Sequence, residues 1–518
     1  MSLEQHLPAL QVILPLVSAP LAVLLRHGGF AFAIVTAGSW AAFAIAIGLW
    51  LQIGTIDGGI ISYQIGSWAP PWGIEYRVDR LASFVLVLVS GIAALVLPWS
   101  RASITREIPE DLHYLYYAMF ALCLAGLLGI TITGDAFNIF VFLEISSLAT
   151  YVLIALGRDR RALAAAFQYL IMGSIGATFI VIGIGFLYLM TGTLNLADMA
   201  IRLRDVESTR SVLAALAFLT VGISLKMALF PLHQWLPNAY TYAPSAVTAF
   251  LAATATKVSV YVLIRFYYSV FGDSLVFDQL PLPQIMLWLS LIAMFAASAI
   301  AISQDNLKRL FAYSSVGQIG YITLGLSFGS INGLTASIVH LFNHGIAKGA
   351  IFLLIGGIVA VTTHRGGAPA ALTFDRLAGL SKRMPLTCFG IVISGLSLIG
   401  VPGTAGFISK WFLIVAALEQ GQYWLVGAIL TSSLLAVAYV WRFVEAAYFR
   451  SPASPEKIDS PAVNPENEAK KPIAAEAPLS LLVPAWLLVG ATIWFGLDTS
   501  FTVGSALEAA QQLLGTGK

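Results

Sequence analysis

Long apolar segments alternate with short polar loops along the chain. About fourteen of these segments approach the roughly 20 residues that a helix needs to cross a lipid bilayer. We number them as spans one to fourteen, at residues 7–25, 30–51, 80–99, 113–132, 136–156, 162–190, 211–236, 243–269, 284–303, 307–328, 334–361, 385–417, 422–448 and 477–497. The pattern predicts an all-α polytopic membrane protein.

Two spans carry residues that interrupt a helix. Pro231 falls inside span seven and Pro237 directly follows it, and Gly400, Pro402 and Gly403 fall inside span twelve. Proline removes a backbone donor, and a broken helix at membrane depth is tolerated only where protein or water satisfies the freed backbone groups. We therefore expect two broken helices whose freed carbonyl groups meet internal water.

A faint internal repeat relates these two spans. Residues of span seven recur in span twelve at an offset of 171 to 173 residues: Gly222, Ser224, Leu225 and Pro231 against Gly395, Ser397, Leu398 and Pro402. Similarity this weak also arises by chance in helices built from few residue types. Paired repeats of about five helices, each with one broken helix, are nevertheless a known way of building transporters. Because each repeat has an odd number of spans, the two repeats are predicted to be inverted.

The repeats divide the chain into regions. The first repeat is predicted at 113–269 and the second at 284–448, after N-terminal helices and an outer loop at 1–112. A cytoplasmic linker rich in Pro, Glu, Lys and Ala is predicted at 449–476, before the last helix and tail at 477–518. The outer loop is rich in Gly, Pro and Trp, and we expect it to form a small hairpin cap.

Basic loop residues predict the orientation in the membrane. Most of them fall on one side of the bundle: Arg26, Arg101, Arg106, Arg158, Arg160, Arg161, Lys308, Arg309, Arg365, Arg376, Lys382, Arg383 and the stretch from Arg450 to Lys471. By the positive-inside rule this side is the cytoplasm, so that both termini lie outside a multi-pass protein of the inner (cytoplasmic) membrane. Three arginines of the loop at 197–210 fall on the other side and oppose the pattern.

Seven titratable side chains lie inside the spans, near the middle of the membrane: Glu144, Lys226, Lys257, His340, His344, Lys348 and Lys410. A lysine near the centre of a spanning helix costs about 2.5–3.5 kcal/mol on insertion, so each one needs a partner or a wet cavity. His340, His344 and Lys348 recur every four residues and therefore share one face of span eleven. Such a file of groups can pass protons where water bridges its gaps.

Simpler structural explanations stay open for part of this set. Glu144 and Lys226 also fit a packing ion pair between helices, and His340 also fits a hydrogen-bonded packing histidine. Lys257 lies too deep in its helix for its side chain to reach the interface easily. The titratable groups near the loops are expected to be interfacial or to anchor the topology: His233, His364, Arg158, Lys308 and Arg309.

Composition excludes other classes of protein. The 518 residues are 58% hydrophobic and 10% charged with a mean hydropathy of +0.85, whereas average soluble proteins are about 25% charged. The net charge of +2 is too small to indicate nucleic-acid binding. Cys123 and Cys388 lie in apolar segments without a CxxC or Cys/His cluster, so we expect no disulfide framework, metal site or cofactor.

Four stretches carry a family resemblance. Residues 134–144, which read Gly-Asp-Ala-Phe-Asn-Ile-Phe-Val-Phe-Leu-Glu, occur together with Lys226–Pro237, Pro244–Lys257 and a Ser-Lys-Trp tripeptide at 409–411. Together they resemble the antiporter-like membrane subunits shared by respiratory complex I, membrane-bound hydrogenases and multisubunit Mrp cation/proton antiporters. The resemblance covers roughly residues 80–450.

The resemblance implies a proton path. In that family, a glutamate of helix five and lysines of helices seven, eight and twelve move protons, which implies the same role for Glu144, Lys226, Lys257 and Lys410. The chain length, the Thr-Leu-Asn-Leu-Ala-Asp stretch at 193–198 and the lysine at 410 are most similar to the D subunit of Mrp antiporters. The Trp-Leu-Pro-Asn-Ala stretch at 235–239 is also similar to complex I subunits, which leaves the parent complex open.

Three functions follow as expectations. The first is an ion-transport subunit that exchanges protons for Na+ or another monovalent cation within a complex of membrane subunits. The second is a proton-pumping subunit of a redox-driven NADH:quinone oxidoreductase or membrane-bound hydrogenase, with all electron carriers on partner chains. The third, a scaffold or bicarbonate-uptake partner, is least favoured because the polar file is intact. The first reading predicts an ion-transport subunit rather than an enzyme.

Overall fold

The computed structural model describes residues 3–56, 58–206, 209–363, 371–451 and 476–515. Within these ranges the chain forms nineteen α-helices and two β-strands. The helices are α1 (Leu7–Leu25), α2 (Gly28–Ile53), α3 (Arg80–Glu107), α4 (His113–Ile132), α5 (Ala136–Ala155), α6 (Arg160–Thr191), α7 (Leu196–Asp205), α8 (Arg210–Lys226), α9 (Trp235–Tyr242), α10 (Ser245–Ala253), α11 (Ala255–Ile264), α12 (Leu282–Ile302), α13 (Leu307–Ser327), α14 (Ile331–Thr362), α15 (Pro385–Ile399), α16 (Ala405–Glu419), α17 (Tyr423–Val444), α18 (Leu479–Leu497) and α19 (Ser500–Leu513). The strands are β1 (Ile61–Gln64) and β2 (Glu75–Val78).

Helices occupy all of the predicted spans. Eleven helical segments of the described chain are long and apolar enough to cross a membrane. The other three spans are α13, whose polar side chains lower its hydropathy, and the two interrupted pairs α8–α9 and α15–α16, whose members are short. The all-α architecture with fourteen spans is therefore confirmed. His364 and residues 452–475 of the predicted linker lie outside the described residues.

Both predicted breaks are present. The first separates Lys226, the last residue of α8, from Trp235, the first residue of α9. The second separates α15 from α16, and there Gly400 and Gly403 have φ angles of +89° and +86°. Only glycine adopts this left-handed backbone region without steric strain, which explains why span twelve carries glycine at these two positions.

One further interruption was not predicted. Span eight was expected to be one continuous helix, but Thr254, with φ −124° and ψ −55°, separates α10 from α11. Neither proline nor glycine marks this position, so the sequence carries no local signal for the break. After Ile264 the same span continues as a π-helical turn over Arg265–Val270.

The two repeats contain matching β-bridges. Asp135, immediately before α5, bridges Asn195, and Asn306, immediately before α13, bridges Thr373. The side chains of Asp135 and Asn306 also cap their helices in the same way, by accepting a hydrogen bond from the N–H group three residues on. Four spans lie between α5 and α13, so the two helices begin on opposite sides and the matching bridges lie at opposite ends of the bundle. The inverted repeat is therefore confirmed.

The bundle has two distinct ends. At one end, which we call the basic face, lie most of the basic loop residues, among them Arg26, Arg106, Arg158, Lys382 and Arg450. The other end, which we call the opposite face, carries the predicted hairpin, in which β1 and β2 pair antiparallel with Ile61 against Val78. The hairpin lies directly before α3 and leads into the helix bundle.

Two helices on the opposite face were not predicted. Residues 197–210 were expected to be a loop and the C-terminal residues a tail, but α7 and α19 occupy them. An N-terminal cap stabilises α7, and contacts with residues distant in sequence stabilise α19. Asn195 caps α7, whereas α19 forms an ion pair between Glu508 and Arg80 and accepts a hydrogen bond from Trp50 Nε1 through Ser505 Oγ at 3.1 Å.

Close packing at the second break leads to a stability prediction. A Cβ atom added at Gly406 would overlap the carbonyl group of Ser397 across the break. We expect Gly406→Ala to destabilise the protein by about 1–3 kcal/mol, the usual cost of overpacking. Thermal unfolding of the detergent-solubilised protein measures this. Gly427→Ala is the control, because a Cβ atom there meets nothing within 4 Å; equal melting temperatures for the two variants would contradict the prediction.

Candidate functional site

Lys226 and Glu144 form an ion pair between α8 and α5. Lys226 Nζ lies 3.4 Å from Glu144 Oε1 and donates a hydrogen bond to Ser147 Oγ at 2.9 Å. The lysine side chain is only 3% exposed, whereas that of Glu144 is 28% exposed. The structure thus brings these two predicted site residues together, with the lysine inside the bundle and the carboxylate at its edge.

A small cavity extends from this pair toward span eight. Its volume is about 20 Å³, and its lining includes Lys226, Ser147 and Tyr169 on one side and Ala255 and Ser259 on the other. This volume is large enough for one water molecule, and the lining hydroxyl groups offer polar partners. The cavity therefore has room for one water molecule between Lys226 and α11.

The unpredicted break at Thr254 positions Lys257. Lys257 is 1% exposed, and its Nζ donates to the carbonyl oxygen of Ala252 at 2.5 Å and to Thr256 Oγ at 3.4 Å. Carbonyl groups at a helix C-terminus carry a partial negative charge that stabilises a cation. The end of α10 therefore supplies Lys257 with an acceptor inside the bundle, where a buried ammonium group needs one.

α14 passes close to this end of α10. A Cβ atom at Gly345 would lie 2.9 Å from the carbonyl oxygen of Ala253, so the two backbones are in contact beside His344. Both ring nitrogens of His344 are buried and make no hydrogen bond to any of the described residues. His344 is therefore the part of the predicted stripe on α14 that lies beside the end of α10 and has unused hydrogen-bonding capacity.

The rest of the stripe points toward other helices. Lys348 is fully buried, and its Nζ donates to the carbonyl oxygen of Phe311 at 2.7 Å and to Ser314 Oγ at 2.5 Å on α13. The imidazole rings of His340 and His344 stack with their centroids 5.9 Å apart. The three residues thus share one face of α14, as their spacing predicted.

His340 connects α14 to the second broken helix. Its Nδ1 lies 2.6 Å from Ser409 Oγ, and its Nε2 lies 2.9 Å from Gln318 Oε1. Gln318 donates through its amide nitrogen to the carbonyl oxygen of Leu398, which turns the amide oxygen toward the histidine. Because this oxygen can only accept, a neutral His340 donates through Nε2 and offers Nδ1 as an acceptor to Ser409 Oγ, whose single proton also has the carbonyl oxygen of Gly406 within reach at 3.1 Å.

Lys410 follows Ser409 and occupies the second break. Its Nζ lies within hydrogen-bond distance of three acceptors: the carbonyl oxygens of Leu398 at 3.0 Å and Ile399 at 2.8 Å, and Ser433 Oγ at 2.9 Å. It also lies 4.4 Å from the ring centroid of Tyr321. All three ammonium hydrogens therefore have partners, and two of these are carbonyl groups freed at the end of α15.

The carbonyl groups at both predicted breaks are met by protein side chains. Leu225 O accepts a hydrogen bond from Trp235 Nε1 at 2.9 Å, and the carbonyl groups of Leu398 and Ile399 accept from Lys410. The sequence predicted internal water as the partner of these groups. Within the described residues, the freed carbonyl groups of the second break form a cation site for Lys410.

Sequence reasoning missed the role of several buried polar residues. Lys308 was expected to anchor the topology, but it is only 7% exposed and donates to the carbonyl oxygen of Ala243 at 3.4 Å. His233 was expected at the interface, but it is buried between Phe230 and Tyr313. Both corrections have one cause: these residues lie near span ends in sequence, whereas tertiary packing covers them.

Comparisons with known proteins agree with this architecture. A family profile described as NADH:quinone oxidoreductase/Mrp antiporter, transmembrane, matches residues 133–436. The chain belongs to this family. Its membership confirms the resemblance carried by residues 134–144 and the lysine-bearing helices, and it establishes a multi-span membrane protein of a family with bacterial antiporter subunits.

Relatives within the family come from more than one kind of complex. The chain is 40% identical over 513 residues to the N subunit of the NADH-quinone oxidoreductase of Desulforudis audaxviator, covering 98% of both chains. It is 28% identical over 509 residues to the D subunit of the Na+/H+ antiporter of Bacillus subtilis, covering 98% of this chain and 97% of the relative. A chain in the structure of the Mrp complex from a Dietzia species matches with a TM-score of 0.86 and 26% identity, covering 99% of this chain and 98% of that one.

Proposed function

We propose that this protein is the proton-translocating subunit of a multisubunit Na+/H+ antiporter. The observation that carries the proposal is a buried polar file that crosses both repeats, from the Glu144–Lys226 pair through Lys257 and α14 to Lys410. The file contains groups that can each gain and release a proton, with room for a bridging water beside Lys226. The similarity to the D subunit of a Na+/H+ antiporter along nearly the whole chain supports the choice of parent complex.

The exposure of Glu144 supports assembly with other membrane subunits. Its side chain is 28% exposed on α5, in the middle of a spanning helix. A carboxylate facing hydrocarbon there is costly, so a partner subunit that covers this side chain would supply polar groups or water. The match to a chain of a multisubunit Mrp complex agrees with this arrangement.

We further propose that the basic face lies in the cytoplasm of a cell bounded by this inner membrane, with both termini outside. Arginine and lysine residues dominate the loops of this face, as the positive-inside rule requires. The arginines of α7 on the opposite face oppose the rule, but Arg202 there is paired with Asp198 at 2.9 Å and is bound to the carbonyl oxygen of Thr191.

Ion dependence tests the proposed function. The purified parent complex is reconstituted in liposomes, and proton movement is recorded with and without Na+ in the absence of any electron donor. We expect proton movement that requires Na+ and no donor. Proton movement that requires an electron donor and ignores Na+ would support the second candidate, a redox-driven pump, which the 40% identity to the N subunit of an NADH-quinone oxidoreductase favours.

His340 is expected to assist the transfer without being essential to it. Its ring links Gln318 to Ser409, next to Lys410, and a water molecule can replace such a link. His340→Ala should slow cation-dependent proton flux by up to about tenfold, the equivalent of one net hydrogen bond of about 0.5–1.5 kcal/mol. Flux in everted vesicles at matched expression measures this; an inactive but assembled variant would show that the histidine is an obligatory relay.

A further inference from the structure

A second buried ion pair joins span eight to the start of α3, toward the opposite face. Arg265 binds the carboxylate of Asp79 with both terminal nitrogens, through an NH1–Oδ2 hydrogen bond of 2.6 Å and a second bond between NH2 and Oδ1. The side chains of Asp79 and Arg265 are 10% and 9% exposed. The proton file described above does not use this pair, although Arg265 lies in the same span as Lys257.

Tyr261 extends the pair toward Lys257. Arg265 Nε donates to Tyr261 Oη at 2.8 Å, and Tyr261 Oη donates to the carbonyl oxygen of Thr131 on α4 at 2.7 Å. Lys257, Tyr261 and Arg265 are spaced four residues apart, so they lie along one face of α11 and its continuation. At 1.5 Å per residue, Arg265 lies about 12 Å from Lys257 along the helix axis.

The chemistry of this set differs from that of the proton file. Lysine, histidine and glutamate can give up and regain a proton, whereas a guanidinium group is always protonated and offers no acceptor. Arg265 therefore cannot relay a proton along α11. The hydroxyl group of Tyr261 is occupied by its two hydrogen bonds, so it has little freedom to carry a proton past the arginine.

Asp79 is held in its charged form. It precedes α3 and caps this helix by accepting a hydrogen bond from Ala82 N at 2.9 Å. Both of its carboxylate oxygens also accept hydrogen bonds from Arg265. Burial raises the pKa of this carboxyl group, but the charge and hydrogen bonds of Arg265, with a smaller contribution from Arg77, outweigh burial and leave the pKa below its usual value. The carboxylate is thus a fixed anchor for the arginine.

We propose that Tyr261, Arg265 and Asp79 form a proton-tight plug between Lys257 and the opposite face. The plug closes the direct route along span eight, so that a proton on Lys257 has to pass sideways to α14. This inference rests on the proposed function, because it assigns a direction to the proton path. Without such a seal, a proton reaching Lys257 would leave early and bypass the second repeat.

A purely structural pair would hold the end of the hairpin against α11 and do nothing else. The two roles differ in what a lysine at position 265 would do. A lysine keeps the positive charge and can still bind Asp79, but a buried lysine can lose its proton, which an arginine does not. A structural pair tolerates this change, whereas a plug that depends on a group unable to titrate does not.

Passive proton conductance is the measurement. The parent complex is reconstituted in liposomes without Na+ or an electron donor, a pH gradient is imposed, and the proton leak is recorded under a clamped membrane potential. For Arg265→Gln and Arg265→Lys we expect the leak to rise at least about tenfold, which corresponds to about 1.4 kcal/mol off the barrier. Arg442→Gln is the matched control, since Arg442 also pairs with an aspartate, Asp305 at 3.2 Å, but lies on the basic face, away from α11.

The double exchange Asp79→Arg with Arg265→Asp distinguishes an effect on the proton leak from an effect on the stability of the complex. The exchange restores opposite charges but places a titratable carboxyl group in span eight, so we expect a stable complex that leaks protons. If the Arg265→Gln complex does not assemble, the proton leak of Arg265→Lys and of this exchange tests the plug. Assembled variants whose proton leak is no larger than that of Arg442→Gln would overturn the proposal of a plug. A wild-type complex that lacks Na+-dependent proton flux, while the variants leak, would instead overturn the proposed function and leave the seal in place.

Discussion

Glu144→Gln is expected to reduce cation-dependent proton flux below about 1% of the wild-type rate, because it leaves the ammonium group of Lys226, which is 3% exposed, without its charged partner. Leaving a buried charge unpaired costs about 3–5 kcal/mol, and each 1.4 kcal/mol is worth a factor of ten. Lys226 would keep Ser147 Oγ as a neutral acceptor, but it would lose the carboxylate 3.4 Å away that makes the pair a two-state switch. Flux is measured in everted vesicles, with assembly of the complex verified for each variant.

Ser147→Ala is the matched control for this pair. It removes the neutral partner of Lys226, which lies at 2.9 Å, and keeps the charged one. We expect this variant to retain measurable flux, since a net hydrogen bond contributes only about 0.5–1.5 kcal/mol. Near-normal flux through an assembled Glu144→Gln complex would reduce the Glu144–Lys226 pair to a packing contact between α5 and α8.

Lys410→Ala is likewise expected to stop turnover. Lys410 lies at the far end of the file, and moving one charge across the membrane potential is worth about 2.3 kcal/mol per 100 mV, so the terminal lysine has to be neutralised and recharged in every cycle. Alanine would also leave the carbonyl groups of Leu398 and Ile399 without their ammonium partner. Loss of flux alone would therefore not separate a transport role from a structural one.

Lys410→Arg makes that separation. Arginine can satisfy the same carbonyl groups and Ser433, but it does not release a proton at accessible pH. We expect a variant with a melting temperature near that of the wild type and no flux. If Lys410→Arg transports protons, a fixed charge at the second break is sufficient; if Lys410→Ala transports protons, the exit lies elsewhere.

The roles of the predicted site residues stay predictions, but their placement does not. All seven titratable residues named from the sequence lie in the spans, and six of them are at most 5% exposed, with Glu144 the exception. The sequence identified them because a charged residue in an apolar span is a local signal, visible without knowledge of neighbours. The same holds for the glycines and prolines of the two breaks.

Contacts across the bundle needed the tertiary structure. The break at Thr254 has no proline or glycine to announce it, and Lys257 found its acceptor at Ala252 only through that break. The carbonyl groups at the second break were expected to meet internal water, and the structure shows that they accept hydrogen bonds from Lys410. Which backbone group is freed, and which side chain reaches it, depends on how helices pack and not on their individual hydropathy.

The sequence by itself determined the membrane class, the fourteen spans, the two predicted breaks and the identity of the buried file, because hydropathy, helical spacing and backbone preferences are properties of short segments. Only the tertiary structure decided that Lys308 and His233 are buried and that Arg265 meets Asp79, a partner 186 residues away in the chain. Burial and long-range pairing follow from the packing of whole helices against one another, which no single segment specifies.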